Sequence, residues 1–130
     1  SNYLKDNSNL NLELRQGEDV CHALGTLLNK QYLVFFARVV VGNGDDGVIK
    51  GVIQIENSEI KKLFVEPALQ GKSIGSSLLK YAIVEHKANT LWALEKNVRA
   101  IRFYKRHGFN VTTDKKLEED TTEYLVRLKR

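Results

Sequence analysis

The chain has 130 residues, of which 42% are hydrophobic and 28% charged, and its formal net charge is +4. This length fits one compact domain of about 100–150 residues, and the composition is that of a globular rather than a disordered protein. No apolar run approaches the roughly 20 residues that a membrane-spanning helix requires, so we expect no membrane contact. The charge favours anionic ligands in general, but it is too small to be typical of nucleic-acid-binding domains.

The N-terminal segment and the single cysteine bear on processing and location. Residues 1–9 are polar and are expected to be frayed, and Ser1-Asn2 resembles the remnant of a removed tag. The absence of methionine suggests a processed chain or missing residues. No segment resembles a secretory signal, and Cys21 has no second cysteine for an internal disulfide, so we expect a cytoplasmic protein. Residues 10–130 are expected to form one domain.

The hydrophobic pattern of the first half predicts a strand, a short helix and then three more strands. Leu10–Leu14 alternates apolar and polar residues, and residues 18–30 carry apolar side chains at helical spacing. The next three strands are rich in aromatic and β-branched residues and are separated by turn signals; they cover Tyr32–Val41, Val48–Glu56 and Ile60–Val65. Pro67 cannot donate a hydrogen bond to a strand ladder, so the last of these strands ends before it.

The second half predicts two helices that alternate with strands. The turn Gln70–Gly75 leads into a helix with a wide apolar face. A strand, a helix that Gly108 ends, and two final strands follow; they cover Thr90–Leu94, Val98–His107, Phe109–Thr112 and Thr122–Leu128. This order indicates a mixed α/β fold with a mostly antiparallel sheet of six to seven strands flanked by helices.

The turn Gln70–Gly75 lies between a predicted strand and a predicted helix, a setting typical of phosphate binding. The first amides of a helix have no internal partners and carry partial positive charge, the two glycines allow an anion to approach closely, and Lys72 adds a cation. The alternative is that the glycines only shape a turn. Gly71-Lys72-Ser73 also matches the end of a P-loop, but that motif needs a glycine where this chain has Glu66.

A second block follows the predicted strand Thr90–Leu94 and reads Asn97-x-x-Ala100-x-x-Phe103-Tyr104-x-x-x-Gly108-Phe109. Together with Val65-x-Pro67 and Gln70–Gly75, this block resembles the GNAT family of N-acetyltransferases. The acetyl-CoA loop of that family reads Q/R-x-x-G-x-G/A, and the corresponding residues here are Gln70, Ser73 and Gly75. Ser73 therefore replaces a glycine of the family pattern. The resemblance covers about residues 60–110.

The resemblance implies a GNAT-like fold with a reduced N-terminal helical segment, and acetyl-CoA as co-substrate. The acceptor would be a primary amine of a small molecule, peptide or protein. It also implies that the strand before the loop diverges from its neighbour and offers backbone amides to the pantetheine arm and the thioester carbonyl, while the helix N-terminus holds the diphosphate. The cofactor-binding residues implied in this way are Leu63, Phe64, Val65, Gln70, Gly71, Lys72, Ser73, Ile74, Gly75, Ser76 and Asn97.

Tyr104 is the residue expected to carry the chemistry. Direct attack of an amine in a ternary complex releases a thiolate. The thiol pKa of about 8.5 is close enough to the phenol pKa of about 10 for Tyr104 to hydrogen-bond or protonate that thiolate. The alternative is a core aromatic residue on an amphipathic helix. The general base stays open among Glu56, Glu59, Glu95, a water chain and an already neutral amine.

Two other functions stay open on the sequence alone. One is a non-catalytic acyl-CoA-binding or regulatory module on the same fold, which needs the glycine loop but no proton donor. The other is a small nucleic-acid-binding domain that uses the helical face of Arg99, Arg102 and Arg106, although a solvated helix face explains the same pattern. His86 and His107 lack metal-ligand spacing, so no metal is expected. The oligomeric state is also open, a homodimer included.

Overall fold

The computed structural model describes residues 2–5, 11–16, 32–41, 44–67 and 74–130, and it describes side chains for 50–67 and 74–130. These residues confirm the predicted mixed α/β fold. The elements in chain order are β1 (Asn2–Lys5), β2 (Asn11–Gln16), β3 (Tyr32–Val41), β4 (Gly44–Glu56), β5 (Glu59–Val65), α1 (Ile74–His86), β6 (Thr90–Leu94), α2 (Val98–Arg106), β7 (Asn110–Leu117) and β8 (Tyr124–Lys129). The short helix predicted within 18–30 lies outside the described residues.

The described strands form a single sheet in the order β1-β2-β3-β4-β5-β6-β8-β7. Seven of them correspond to predicted strands, and the eighth, β1, lies in the segment that was expected to be frayed. It pairs antiparallel with β2 from Asn2↔Leu14 to Lys5↔Asn11. Strand pairing uses backbone groups, so the polar character of this segment does not prevent it.

Two strands extend further than their hydrophobic patterns. β4 begins at Gly44, inside a segment predicted as a turn, and pairs with Val41 of β3. β7 continues to Leu117, inside the segment predicted as a connection, and pairs there with Tyr124 of β8. In both cases the antiparallel ladder continues through polar residues after the alternation of apolar side chains has stopped.

The core lies between α1 and the central strands. Residues from both layers are buried, and they include Ile53, Ile55, Ile60, Ile74, Leu78, Leu79, Ala82, Leu91, Ala93, Phe109, Val126 and Leu128. A Cβ atom on Gly51 would lie 2.9 Å from Leu78 Cδ1, so the glycine is what allows β4 to approach α1 this closely. Within the described residues, neither helix is long and apolar enough to cross a membrane.

The parallel pair β5–β6 positions the site. These strands pair only at Glu59↔Thr90 and Ile60↔Leu91. Beyond this point β5 stays paired with β4 as far as Val65↔Gly51, while β6 pairs with β8 along its whole length. The sheet is therefore continuous at one end and divides at the other, and the divergence that the resemblance implied is present.

Candidate active site

A cavity of about 680 Å³ opens where β5 and β6 diverge. This volume lies within the range of about 300–1,000 Å³ that is typical of small-molecule clefts. The cavity lies between the end of β5, the first turn of α1 and the length of α2. Its lining residues are Leu63, Val65, Gly75, Ser76, Asn97, Arg99, Ala100, Phe103, Tyr104, Arg106 and His107.

The structure brings several of the predicted site residues to this cavity. The ones that line it are Leu63, Val65, Gly75, Ser76, Asn97 and Tyr104. Phe64 does not line it, because successive strand side chains alternate between faces and its own is about half exposed. Ile74 is buried in the core, so only its backbone could reach a ligand. Residues 70–73, the remainder of the predicted loop, lie outside the described residues.

Alternate residues of β5 direct their backbone N–H and C=O groups away from β4, toward the gap between β5 and β6. Glu66 donates its N–H to the Lys50 carbonyl of β4 at 2.9 Å, and the register with β4 runs without a shift from Lys62 to Val65. In an antiparallel ladder, successive residues direct their N–H and C=O groups to opposite sides. The N–H of Leu63 therefore points away from β4, into the gap beyond the last β5–β6 pair.

Tyr104 lies on the opposite wall of the cavity, in an aromatic cluster. Its ring makes edge contacts with Phe103 and Phe109, with centroid distances of 5.2 and 5.9 Å. Phe109 is fully buried and closes one side of the phenol. Burial disfavours the phenolate and raises the pKa of Tyr104 to about 12. The phenol is therefore protonated at neutral pH and can donate a hydrogen bond.

Asn97 has a structural contact as well as a place at the cavity. Its Oδ1 accepts a hydrogen bond from the backbone N–H of Ala100 at 3.1 Å, which makes it the N-cap of α2. An amide side chain also carries an NH₂ group with two donors. The cap thus uses the oxygen of Asn97 and leaves its donors to face a ligand.

Among the described residues that line the cavity, those that carry a permanent charge are arginines. Arg99 and Arg106 line it, whereas Arg102 on the same helix does not. The Arg106 guanidinium also lies 5.9 Å from the centre of the Phe103 ring. Within the described residues, no carboxylate forms an ion pair with either guanidinium group, and this favours an anionic ligand.

The three carboxylates considered as general bases lie elsewhere. Glu59 forms an ion pair with Lys61 at 2.9 Å, and Glu56 lies 4.0 Å from the same ammonium group. Glu95 pairs with Lys115 at 2.9 Å. None of them lines the cavity in the described part of the chain. The structure therefore does not bring a sequence-proposed base to the cavity.

His107 is a site residue that the sequence reasoning missed. It lines the cavity and joins α2 to α1, since its Nε2 lies 2.6 Å from the Ser76 hydroxyl and its Nδ1 lies 2.9 Å from the Phe103 carbonyl oxygen. A signal existed in the spacing, because Ala100, Phe103, Tyr104 and His107 repeat with the period of one helical face. Gly108, with φ +90°, follows the C-cap His107 and confirms the predicted end of the helix.

The comparisons with known proteins show the family to which the chain belongs. The family model described as an acetyltransferase (GNAT) domain matches residues 30–111, more than half of the chain. The chain therefore belongs to the GNAT acetyltransferase family. It is 32% identical, over 74 residues, to the peptidyl-lysine N-acetyltransferase YjaB of Salmonella typhimurium. That match covers 57% of this chain and 50% of the relative, so the chain spans half the length of that protein.

Solved structures of the family share the fold. The solution structure of apo YjaB from Escherichia coli superposes with a TM-score of 0.66 at 19% identity and covers 91% of this chain and 96% of that one. A Bacillus subtilis acetyltransferase in complex with CoA superposes with a TM-score of 0.61 at 19% identity, covering 90% and 96% of the two chains. These likenesses confirm the architecture around the divided sheet.

Proposed function

We propose that this protein transfers the acetyl group of acetyl-CoA to a primary amine by direct attack in a ternary complex. The observation that carries the proposal is the cavity itself, which combines a diverging strand, a helix N-terminus, two arginines and a buried phenol. The family of the chain and the CoA complex of a related fold support the choice of donor. The name of the Salmonella typhimurium relative supports a peptide lysine as the first acceptor to test.

The proposed placement of the donor follows from the chemistry of the walls. The backbone of the first turn of α1, with the residues Gln70–Ser73 that precede it in the sequence, receives the diphosphate, because helical first-turn amides and the Lys72 cation favour anions. The NH₂ group of Asn97 and the backbone of Leu63–Val65 bind the pantetheine arm. The N–H of Leu63, which faces the gap, is suited to stabilise the oxyanion that develops on the thioester carbonyl.

The proposed reaction needs one bond exchange. The amine nitrogen forms a bond to the thioester carbonyl carbon, the carbon–sulfur bond breaks with its electron pair on sulfur, and one proton leaves the nitrogen for solvent. Full proton transfer from Tyr104 to the thiolate would be uphill by roughly 5 kcal/mol, given pKa values of about 12 for the phenol and about 8.5 for a thiol. We therefore assign Tyr104 the role of a hydrogen-bond donor to the leaving thiolate, rather than that of a full acid.

The test is an acceptor screen with two readouts. Acetyl-CoA is incubated with lysine-containing peptides, their arginine-substituted counterparts and small primary amines, and thiol release and acceptor acetylation are measured together. We expect both signals with the same acceptor. CoA binding by calorimetry without acetylation across the panel would contradict catalysis and favour the non-catalytic acyl-CoA-binding module. Failure to bind CoA at all would contradict the whole proposal.

A further inference from the structure

The imidazole of His107 is held in one tautomer by its own helix. The Phe103 carbonyl oxygen, 2.9 Å from Nδ1, can only accept, so Nδ1 carries the hydrogen. In the neutral imidazole Nε2 is then an acceptor, and the Ser76 hydroxyl at 2.6 Å must donate to it. The ring also packs against Phe103, with 4.8 Å between the centroids. His107 therefore has a fixed orientation and a fixed hydrogen-bond role.

The Ser76–His107 hydrogen bond joins two elements that line the cavity from different directions. Ser76 lies in the first turn of α1, and His107 is the C-cap of α2. The residues are 31 positions apart in sequence, so the bond is a tertiary contact and not part of either helix. Because its hydrogen is donated to His107, the Ser76 hydroxyl cannot donate to a ligand at the same time, and the first-turn backbone amides, which have no partners within a helix, are the remaining donors of this turn.

We propose that His107 is a positioning residue: through Ser76, it holds the first turn of α1 in the orientation that receives the diphosphate of the acetyl donor. This inference rests on the proposed function, because it assigns the diphosphate to that turn. It confines the effect of His107 to ligands that carry the diphosphate, since the bond lies at the first turn of α1 and not at Leu63 or Tyr104. A general packing role would affect every ligand of the cavity.

Two substitutions at position 107 separate the two hydrogen bonds of the imidazole. In His107→Asn the amide reaches about as far as Nδ1 and keeps the bond to Phe103, but it loses the bond to Ser76. In His107→Gln the amide reaches about as far as Nε2 and can accept from Ser76. We expect His107→Asn to weaken the binding of CoA and ADP about fivefold to tenfold, the usual contribution of one hydrogen bond, and His107→Gln to restore most of it. Pantetheine, which lacks the diphosphate, should bind the two variants as tightly as it binds the wild type.

Serine variants provide the matched control. Ser76→Ala should weaken CoA binding, and the double variant with His107→Asn should bind no more weakly than Ser76→Ala alone, because the two residues act through one bond. Ser77→Ala, one position along α1 and outside the described lining, should bind like the wild type. All affinities are measured by calorimetry, and thermal unfolding verifies that each variant is folded.

The outcomes distinguish this inference from the proposed function. An equal loss of affinity for pantetheine and CoA in His107→Asn would show a packing role and overturn the inference. Unchanged CoA affinity in that variant, or additive effects in the double variant, would also overturn it while leaving the acetyltransferase proposal intact. Wild-type protein that binds neither CoA nor ADP would instead overturn the proposed function on which the inference rests.

Discussion

The two helices make opposite contributions to the molecule. α1 places Ile74, Leu78, Leu79 and Ala82 in the core, whereas no residue of α2 is fully buried. α2 and its two capping residues, Asn97 and His107, nevertheless supply seven of the eleven described lining residues. The amphipathic face of α2 is therefore turned toward a ligand cleft as much as toward the protein. Substitutions on the core face of α1 should act on stability, and those on the cavity face of α2 should act on binding and turnover.

Leu78→Ala should give the largest effect on the side of stability. Leu78 is fully buried and packs closely against Gly51 of β4. Its truncation leaves a cavity that should lower the free energy of unfolding by about 2–5 kcal/mol. Urea unfolding measures this loss. Val84→Ala, on the exposed side of the same helix with 63% exposure, is the control and should change the free energy by less than about 0.5 kcal/mol. Equal losses in the two variants would contradict the division of α1 into a core face and a solvent face.

Tyr104→Phe should give the largest effect on catalysis. It removes the donor to the thiolate while keeping the aromatic contacts, so turnover should fall about 10²-fold or more with CoA affinity and melting temperature nearly unchanged. Tyr124→Phe, on an exposed residue outside the described lining, is the matched control and should keep wild-type turnover. Unaltered turnover in Tyr104→Phe would remove the phenol from the mechanism.

The pH dependence offers a second measurement of the same residue. The protonated phenol is the active form, so any alkaline loss of kcat/KM caused by Tyr104 should appear only as the pH approaches its pKa of about 12. An ordinary phenol would cause that loss near pH 10. An alkaline limb near pH 10 that disappears in Tyr104→Phe would contradict the raised pKa.

The arginines of α2 should separate the cavity side of this helix from its solvent side. Arg99→Gln and Arg106→Gln should each weaken CoA binding about fivefold, roughly 1 kcal/mol, because each removes a cation from the cavity that receives an anionic donor. Arg102→Gln removes the same charge from outside the described lining and should have little effect. Since exposed charges are screened by salt, the difference should shrink as ionic strength rises. Three equal effects would indicate attraction by the overall charge.

The smallest expected effect concerns His86 at the end of α1. Burial, opposed by the Glu85 carboxylate, lowers the pKa of His86 below its ordinary value of 6.5. The unfolded chain then binds the proton more readily, so the stability that depends on neutral His86 is present above about pH 6.5 and is lost as the pH falls below it. His86→Gln should lose less stability than the wild type between pH 7.5 and pH 5 in urea unfolding. Parallel pH profiles would contradict the lowered pKa.

The sequence predicted the elements well where side-chain periodicity reports burial, as in α1 and β6. It did not predict β1, because the pairing of Asn2–Lys5 depends on backbone groups that any residue supplies. The divergence of β5 from β6 was predicted from the family resemblance and not from periodicity. A strand shows the same alternation of apolar and polar side chains whether or not its edge is paired with another strand. The hydrogen bond between Ser76 and His107 could not be predicted, because the two residues are 31 positions apart in sequence and their contact depends on how the two helices pack.

The two residue pairs that join β5 to β6 also affect how firmly the two parts of the sheet are held together. Within the described structure, the strands on either side of this junction are β1–β5 and β6–β8, and only two rungs of backbone pairing connect them. A ligand that fills the cavity contacts β5 on one side and α2 on the other. It therefore adds contacts between the two parts of the molecule that the β5–β6 pairing joins. Occupancy of the cavity should therefore stabilise the junction of β5 and β6, and the empty protein should show faster amide exchange along the open edge of β5.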